Sequence, residues 1–493
     1  MLRKSASIWV LGLLTACSSP STQKPNILFI MSDDHAVNAI GCYNMRLSKI
    51  AQTPNIDKLA SEGMRFSNCF TTNSICSPSR ATILTGKYSH LNGVYCLNQN
   101  FEEQPTSATV LQAAGYQTGV FGKWHLLSRP IGFDDFKVLE EQGRYENPQF
   151  VEKGKDELVE YQGWSEDIIS SMTIDFIKNR KKEKPFFVMC QFKSAHDPWL
   201  SRPPFDTLYE NVTIPEPQNI CDQYNNRSEA ARRTTLKLEK IDQRTFKHNR
   251  LDTNDICLQR KYIYQQYIKA YLRSASVMDD NIEKLMDFLK KEGLDKNTIV
   301  VYTSDQGHFL GEHGFFSKRL MYEESMQMPL IVRYPGKIEA SSVCDNLVAN
   351  IDFAPTLIDL AGVEVPGDMQ GQSLKDALYG NSPSELRDGI YYRYWQHLLH
   401  RDVAAHYGVR TKDYKLIYYY GLALGQTDYP ATPPEWELFD LKKDPEEMHN
   451  VYNDPAYDGV KAALKKKITE LKKQYGDTDS QYPEMDSINK EEE

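Results

Sequence analysis

Apolar residues recur along this chain with two different periods. Asn26-Ile-Leu-Phe-Ile-Met31 is an unbroken apolar run that halts at Ser32-Asp-Asp-His35, as a strand buried on both faces of a parallel sheet does. Pro185-Phe-Phe-Val-Met-Cys-Gln-Phe192 halts likewise at Lys193-Ser-Ala-His196, and Thr298-Ile-Val-Val-Tyr-Thr303 at Ser304-Asp-Gln-Gly307. Between the last two runs, Ile263, Tyr267, Tyr271, Met278, Ile282, Leu285 and Leu289 fall at helical spacing, a stripe that packs on a sheet. In open α/β sheets ligands bind outside the carboxyl ends of the strands, where these polar groups stand. After about residue 385 the pattern becomes aromatic alternation, Tyr391-Tyr-Arg-Tyr-Trp395 and Tyr414-Lys-Leu-Ile-Tyr-Tyr-Tyr420, followed by a helical segment from Val460 to Tyr475. The predicted fold is α/β: a large central mixed, mostly parallel sheet flanked by helices, plus a smaller C-terminal antiparallel sheet with a helix. The expected boundaries are a main domain over 22–385, an α+β subdomain over 386–476 and a flexible tail over 477–493. Residues 201–260, polar and rich in Asn and Arg, read as a surface excursion.

At 493 residues, two unequal domains are the natural expectation. The net charge of −9, with Lys and Arg scattered, argues against a nucleic-acid partner. The N-terminus narrows the setting. Arg3 and Lys4 precede Ile8 to Leu14, an apolar run too short to span a bilayer, and Leu14-Thr-Ala-Cys17 follows. Residues 1–17 are similar to a bacterial lipoprotein signal, with Cys17 lipidated after cleavage; an ordinary signal peptide with an incidental cysteine is the competing reading. Both place the mature chain outside the cytoplasm, in the first case held to a membrane by its lipid alone. Of nine cysteines, seven remain after Cys17 and Cys76, an odd number without regular spacing, so no disulfide framework or zinc pattern is read.

Ser74-Ile-Cys-Ser-Pro-Ser-Arg-Ala-Thr-Ile-Leu-Thr-Gly86 holds the chemical interest. Ser77 is a favoured N-cap, Pro78 suits the first helical turn and Gly86 stops the helix. Cys76 then stands at the positive end of a short helix, with Arg80 one turn inward, a place that attracts anions. Asp33, Asp34 and Asp305 with the Gln306 amide form an all-oxygen set that suits a hard cation, Ca²⁺ more than Mg²⁺. The alternative is that these are solvated strand ends.

Cys76-Ser-Pro-Ser-Arg80 followed by Leu84-Thr-Gly86 resembles the signature of the formylglycine-dependent sulfatases of the alkaline phosphatase superfamily. Ser32-Asp-Asp34, Phe121-Gly-Lys-Trp-His125, Ser194-Ala-His196-Asp-Pro198, Ser304-Asp-Gln-Gly307, Lys318-Arg-Leu-Met-Tyr-Glu323 and Glu437-Leu-Phe-Asp-Leu-Lys-Lys-Asp-Pro445 resemble further blocks, in order. The resemblance implies that Cys76 is converted by a formylglycine-generating or anaerobic sulfatase-maturing enzyme into an aldehyde whose hydrate is the nucleophile. It further implies one Ca²⁺ on Asp33, Asp34, residue 76, Asp305 and Gln306. Arg80, Lys123 and Lys318 would grip the sulfate, His125 would assist release, and His196 would protonate the leaving oxygen. Gln306 stands where the family often has Asn, which puts metal affinity in question. Lys87 reads as structural, and His35, His90 and His308 receive no role.

Substrate choice belongs to loops at the same edge. Arg144, Trp199, His313 and His406 are the candidates, in segments that look like bacterial carbohydrate sulfatases of the N-acetylglucosamine-6-sulfatase type. The expected partner is therefore a sulfated glycan, with 6-O-sulfated N-acetylglucosamine in a glycosaminoglycan or mucin as the expected unit. The alternatives are a phosphonate monoester or phosphodiester hydrolase on the same site, or an unconverted protein that binds sulfated glycans. A periplasmic or outer-membrane-anchored location completes the expectation.

Overall fold

A computed structural model describes residues 24–381 and 385–489; the leader and Cys17 lie outside the described residues. The main layer is a ten-stranded sheet whose strands, in spatial order, begin at residues 342, 64, 330, 298, 26, 186, 117, 135, 149 and 159. Asn26–Ser32 lies between Phe186–Gln191 and Thr298–Ser304, parallel to both, with Phe29 opposite Met189 and Val301. Gln117–Lys123 continues the parallel set beyond Phe186–Gln191. Four neighbouring strands thus deliver their carboxyl ends to one edge. Leu330–Arg333 runs antiparallel to Thr298–Ser304, so the chain that carries Lys318 toward it arrives at that same edge.

The apolar runs are buried because both faces are covered. Ile27, Phe29, Met31, Phe187 and Met189 face one core; Leu28, Ile30, Val188 and Cys190 face the other, alternating as strand geometry demands. Met278, Ile282, Leu285 and Leu289 of the expected helix pack on the second core. Each such buried side chain contributes roughly 1.5–3 kcal/mol.

That helix spans Ile256–Lys291, 36 residues, and begins one turn and more before the visible stripe. Asp255 caps it, accepting from the Leu258 N–H at 3.1 Å. Its first half packs against Ile214, Ile220, Leu238 and Ile241, so residues 201–260 are not a surface excursion throughout. Their apolar residues are too widely spaced for either period to show. Cys221 and Cys257 form a disulfide, which ties this segment to the first turn of the helix, a pairing that the irregular cysteine spacing did not reveal. Their 36-residue separation corresponds to about 4 kcal/mol of chain-entropy stabilisation. Replacing both with serine is expected to lower the urea midpoint markedly while leaving turnover largely intact; an unchanged midpoint would contradict a structural role.

The second sheet is four antiparallel strands, Ile390–Tyr394, His406–Arg410, Tyr414–Tyr419 and Glu435–Asp440, with the helix Asp458–Tyr475 beside it. It shares one core with Phe70, Ile75, Phe309, Phe315, Met321 and Tyr322 of the main domain. Asp477 and Met485 are packed into the molecule, where a flexible tail over 477–493 was expected. Asp477 is fully buried, pairing with Arg393 at 2.6 Å and accepting from the Tyr391 hydroxyl at 2.7 Å, and Met485 is also fully buried. The reason is local: Arg393 lies buried against Trp395, its guanidinium 3.6 Å from the ring centroid, and needs a carboxylate. Among the described residues no helix is long and apolar enough to cross a membrane.

Candidate active site

Cys76 opens the helix Cys76–Thr85, with extended Ile75, not Ser77, in the N-cap position. Ser77 instead donates its hydroxyl to the His125 carbonyl at 2.7 Å, joining this helix to the end of the Gln117–Lys123 strand. Gly86 ends the helix in the left-handed conformation, φ 64°, as expected. Cys76 is 2% exposed. Its Sγ lies 3.5 Å from Asp33 Oδ1 and 3.4 Å from Lys318 Nζ.

The four strand ends converge on this thiol. Asp33, Asp34 and Asp305 bring carboxylate oxygens within 4.8 Å of one another. Asp34 turns back through a left-handed backbone, φ 63°, and its N–H donates to Asp305 Oδ1 at 3.2 Å. Three cations close on these carboxylates. Arg80 Nε donates to Asp305 Oδ2 at 3.0 Å, Lys123 pairs with Asp33, and Lys318 pairs with Asp34. Gln306 donates its amide nitrogen to Asp34, while its Oε1 is buried without a hydrogen-bond partner. An unpartnered buried carbonyl beside three clustered carboxylates fits a hard-cation site. The residues present therefore suit Ca²⁺, Gln306 included.

Burial opposes ionisation of Asp34, but Lys318, His308 and His196 outweigh it and hold its carboxyl well below the usual range. Burial, reinforced by Asp305 and Asp34 against Lys318, pushes the Cys76 thiol up to about 12. An unmodified thiol is thus protonated and a poor nucleophile here.

The two histidines sit in the same cationic field. Burial and then Lys123 press both His125 and His196 well below their ordinary value, with Arg80 and Lys318 adding at His125 and Lys318 at His196. His125 adopts φ 54°, and Gln142 donates to its Nε2 at 3.0 Å, leaving Nδ1 buried and unpartnered. His196 Nε2 lies 3.9 Å from Asp34 Oδ2.

Several supporting residues escaped the sequence reading. Gln142 bridges the site, accepting from Lys123 Nζ at 2.6 Å while it donates to His125. Lys193 Nζ donates to the Gln142 carbonyl at 3.1 Å. Fully buried Glu166 accepts from the Ser194 N–H at 3.1 Å, and the Tyr145 hydroxyl donates to the His196 carbonyl at 2.6 Å, fixing the turn that carries His196. Polar residues in loops carry no periodicity, although Gln142 and Tyr145 lie close to Arg144, already singled out. Gly122 has φ 101°, and a Cβ there would meet the Gln191 carbonyl at 1.9 Å, which explains the Gly before Lys123.

The residues expected to choose the substrate divide. Arg144 is exposed two positions after Gln142. Trp199 is buried at 2% exposure, edge-on to Tyr267 with centroids 4.7 Å apart, and serves as a wall. His313 is fully buried, its Nδ1 3.1 Å from Asp222 Oδ2. His406 stacks between Tyr392 and Tyr394 in the second sheet and bonds the Ala404 carbonyl at 2.8 Å. His313 and His406 are therefore structural residues, because aromatic packing and a bond at Nδ1 already use each ring, whereas Trp199 packs on Tyr267 with its Nε1 buried and unpartnered. Lys87 pairs with Asp368 at 2.5 Å, His90 meets the Tyr475 carbonyl at 2.8 Å, and His35 holds the Tyr302 hydroxyl at 2.5 Å. His308 Nδ1 lies 3.5 Å from Asp34 Oδ2.

His406 has a consequence for stability. Burial outweighs its bond to Ala404 and lowers it from 6.5 to about 4. Unfolded imidazole takes up a proton near pH 6.5, whereas the folded ring resists until about pH 4. Its contribution is full above 6.5 and is lost as pH falls toward 4, at up to about 1.4 kcal/mol per pH unit. Urea unfolding of His406→Phe should show a shallower decline from pH 6.5 to 4.5 than the parent; equal slopes would refute this assignment.

The chain matches the family described as Sulfatase over residues 25–363. It belongs to the sulfatase family. A second match, N-sulphoglucosamine sulphohydrolase, C-terminal, covers residues 311–474 of this sulfatase. It is 40% identical to the N-acetylglucosamine-6-O-sulfatase of Bacteroides thetaiotaomicron, over 94% of this chain and 90% of that one. The human N-acetylglucosamine-6-sulfatase is 28% identical, over 76% of this chain and 68% of its own. A solved structure in complex with its substrate D-glucosamine-2-N,6-O-disulfate superposes with a TM-score of 0.85 and 40% identity, covering 93% of this sulfatase and 99% of that chain. The mostly parallel main sheet with a separate antiparallel sheet is thus the sulfatase architecture.

Proposed function

We propose that this sulfatase removes the 6-O-sulfate of an N-acetylglucosamine-type sugar, with a formylglycine made from Cys76 and a bound Ca²⁺. The observation that carries the reading is the convergence on Cys76 of three carboxylates, three cations and His196 from four strand ends, the Cys76–Thr85 helix and the segment after Ser317. The Bacteroides relative's name and the sulfated glucosamine held by the solved relative support the sugar and the position.

Asp33, Asp34, Asp305 and Gln306 would hold the cation, which would supply positive charge beside position 76 and lower the pKa of a hydroxyl there. A hydrated formylglycine at position 76 would offer two hydroxyls on one carbon, one as the nucleophile and one for release of sulfate. Lys318, 3.4 Å from the position 76 side chain, and Lys123 hold sulfate oxygens. Arg80 fixes Asp305 and so orients the carboxylate set. His125 is neutral and can accept the proton of the second hydroxyl. His196 gives a proton to the departing sugar oxygen; the entering sulfate offsets the nearby lysines and favours its charged form.

The leader, with the Cys221–Cys257 disulfide, supports a mature chain in an oxidising space outside the cytoplasm, anchored through Cys17. The matured Cys76 peptide should be lighter by about 18 Da, thiol replaced by carbonyl. Sulfate release should be fastest from 6-O-sulfated N-acetylglucosamine among the 3-O, 4-O and 6-O isomers, and far faster than hydrolysis of a phosphonate monoester. An unconverted cysteine in active protein, or a preference for the phosphonate, would sink the reading.

A further inference from the structure

The chain enters the main sheet at the edge opposite position 76. Asn297 donates from its side-chain amide to the Lys24 carbonyl at 3.2 Å, just before the first strand. Asn26–Ser32 and the two strands beside it all begin at this edge and run toward Cys76. The Phe186 N–H donates to Asn26 Oδ1 at 3.2 Å and the Lys181 N–H to Gln117 Oε1 at 2.8 Å. These bonds draw the loop before Phe186 against the point of entry.

Lysines scattered along the sequence gather here. Lys181, Lys182 and Lys184 stand exposed in that loop, next to half-buried Arg180. Exposed Lys290 and Lys291 end the helix Ile256–Lys291, and exposed Lys296 directly precedes Asn297. Exposed Lys337 donates its N–H to the Tyr334 carbonyl, and the Tyr334 hydroxyl donates to Asn297 Oδ1 at 3.4 Å. Glu183, Glu292, Asp295 and Glu339 lie among these lysines and are outnumbered by them. Among the described residues none of the lysines has a carboxylate within ion-pair distance, in a chain whose net charge is −9. A cationic edge left unneutralised on an acidic protein suits an anionic partner.

The point of entry says which partner. Six residues, 18–23, separate Cys17 from Lys24, so a lipid on Cys17 keeps Lys24 within about 25 Å of itself. Lysines held that near an anionic surface are drawn onto it, since their attraction reaches roughly the 10 Å of a Debye length.

We propose that this lysine edge docks on an anionic lipid bilayer and so turns the catalytic edge away from the membrane. Asn26–Ser32 has seven residues, which sets position 76 roughly 20 Å farther from the headgroups than the lysines. The orientation rests on the anchor at Cys17 proposed above, whereas the charge of the edge is independent of it.

The first test is sedimentation of the mature chain, made without lipid from Ser18 onward, with vesicles of phosphatidylcholine alone or mixed with phosphatidylglycerol. Binding should be at least tenfold stronger to the mixed vesicles and should fade as salt is raised. Replacing Lys181, Lys182 and Lys184 together with Glu should weaken it at least tenfold. The same change at Lys442, Lys466 and Lys473, exposed in the C-terminal part of the chain, should leave it within twofold. Equal binding to both vesicles, or equal losses in the two triple variants, would overturn the docking face. So would a Lys181, Lys182 and Lys184 variant that loses affinity for soluble dextran sulfate but not for vesicles, which would assign the edge to a glycan. The second test is acetylation of the lipidated chain on the mixed vesicles, read by mass spectrometry. Lys181, Lys182 and Lys296 should react at least fivefold more slowly than in detergent, and Lys442 and Lys466 at the same rate in both. Uniform reactivity would overturn the orientation. A chain that carries no lipid at Cys17 would sink the anchor alone, and the vesicle binding of the unlipidated chain would still decide the docking face.

Discussion

Cys76→Ala protein is expected to release sulfate at least about 10⁴-fold more slowly than the parent, as loss of a covalent nucleophile does. It should remain folded. The thiol lies 3.5 Å from Asp33 and 3.4 Å from Lys318, yet each of these has a full ion-pair partner elsewhere, Asp33 with Lys123 and Lys318 with Asp34. Removing one sulfur therefore strands no buried charge, and the melting temperature should move by only a few degrees, about 1 kcal/mol or less. Sulfate release by this variant at a tenth of the parent rate would dismiss position 76 as the nucleophile.

Asp305→Ala should be damaging in two separable ways. Asp305 accepts from Arg80 Nε at 3.0 Å and from the Asp34 N–H at 3.2 Å. Without it, Arg80, 2% exposed, keeps Asp33 at 3.8 Å as its one carboxylate, beside the Lys123 carbonyl at 2.6 Å and Gln191 Oε1 at 3.2 Å. Breaking a buried pair in this way costs about 3–5 kcal/mol, so the unfolding midpoint should fall. The second effect is electrostatic. Asp305 is one of three clustered carboxylates, in a pocket that also holds Arg80, Lys123, Lys193 and Lys318. Losing one carboxylate weakens the hold on a divalent ion, and turnover should drop at least about 10³-fold. Ca²⁺ titration separates the effects: it should raise the melting temperature of the parent and not of the variant. Chelation of the parent should reproduce the activity loss, with Ca²⁺ restoring it. A parent indifferent to chelator, or a variant stabilised equally by Ca²⁺, would rule out the cation site.

How much of this was visible beforehand depended on the kind of signal each residue leaves. Asn26–Ser32, Phe186–Gln191 and Thr298–Ser304 were legible because strands buried on both faces are continuous apolar runs, and the polar residues ending them marked the active edge. Cys76, Arg80, Asp33, Asp34 and Asp305 were legible as one cluster because they lie in motifs of fixed residue types at fixed spacing. Gln142, Tyr145 and Lys193 act through a few bonds each from loops that any polar residue could populate, and Glu166 acts from the first turn of the Ser165–Lys178 helix, where an acidic residue is ordinary. His313 and His406 misled for the opposite reason. A histidine packed among tyrosines has the same letters around it as one that binds a sugar, and only burial tells them apart. The tail misled through composition, since a charged segment shows no need of a core until Arg393 is seen to require Asp477.

The small sheet shares its core with Phe70 and Ile75, which lead into the Cys76 helix, and with Met321 and Tyr322, which follow Lys318. It is therefore not a detachable module. A fragment ending before residue 390 would lose the packing that seats both Cys76 and Lys318, and a sheet transplanted from a distant relative would have to match those side chains to leave turnover intact.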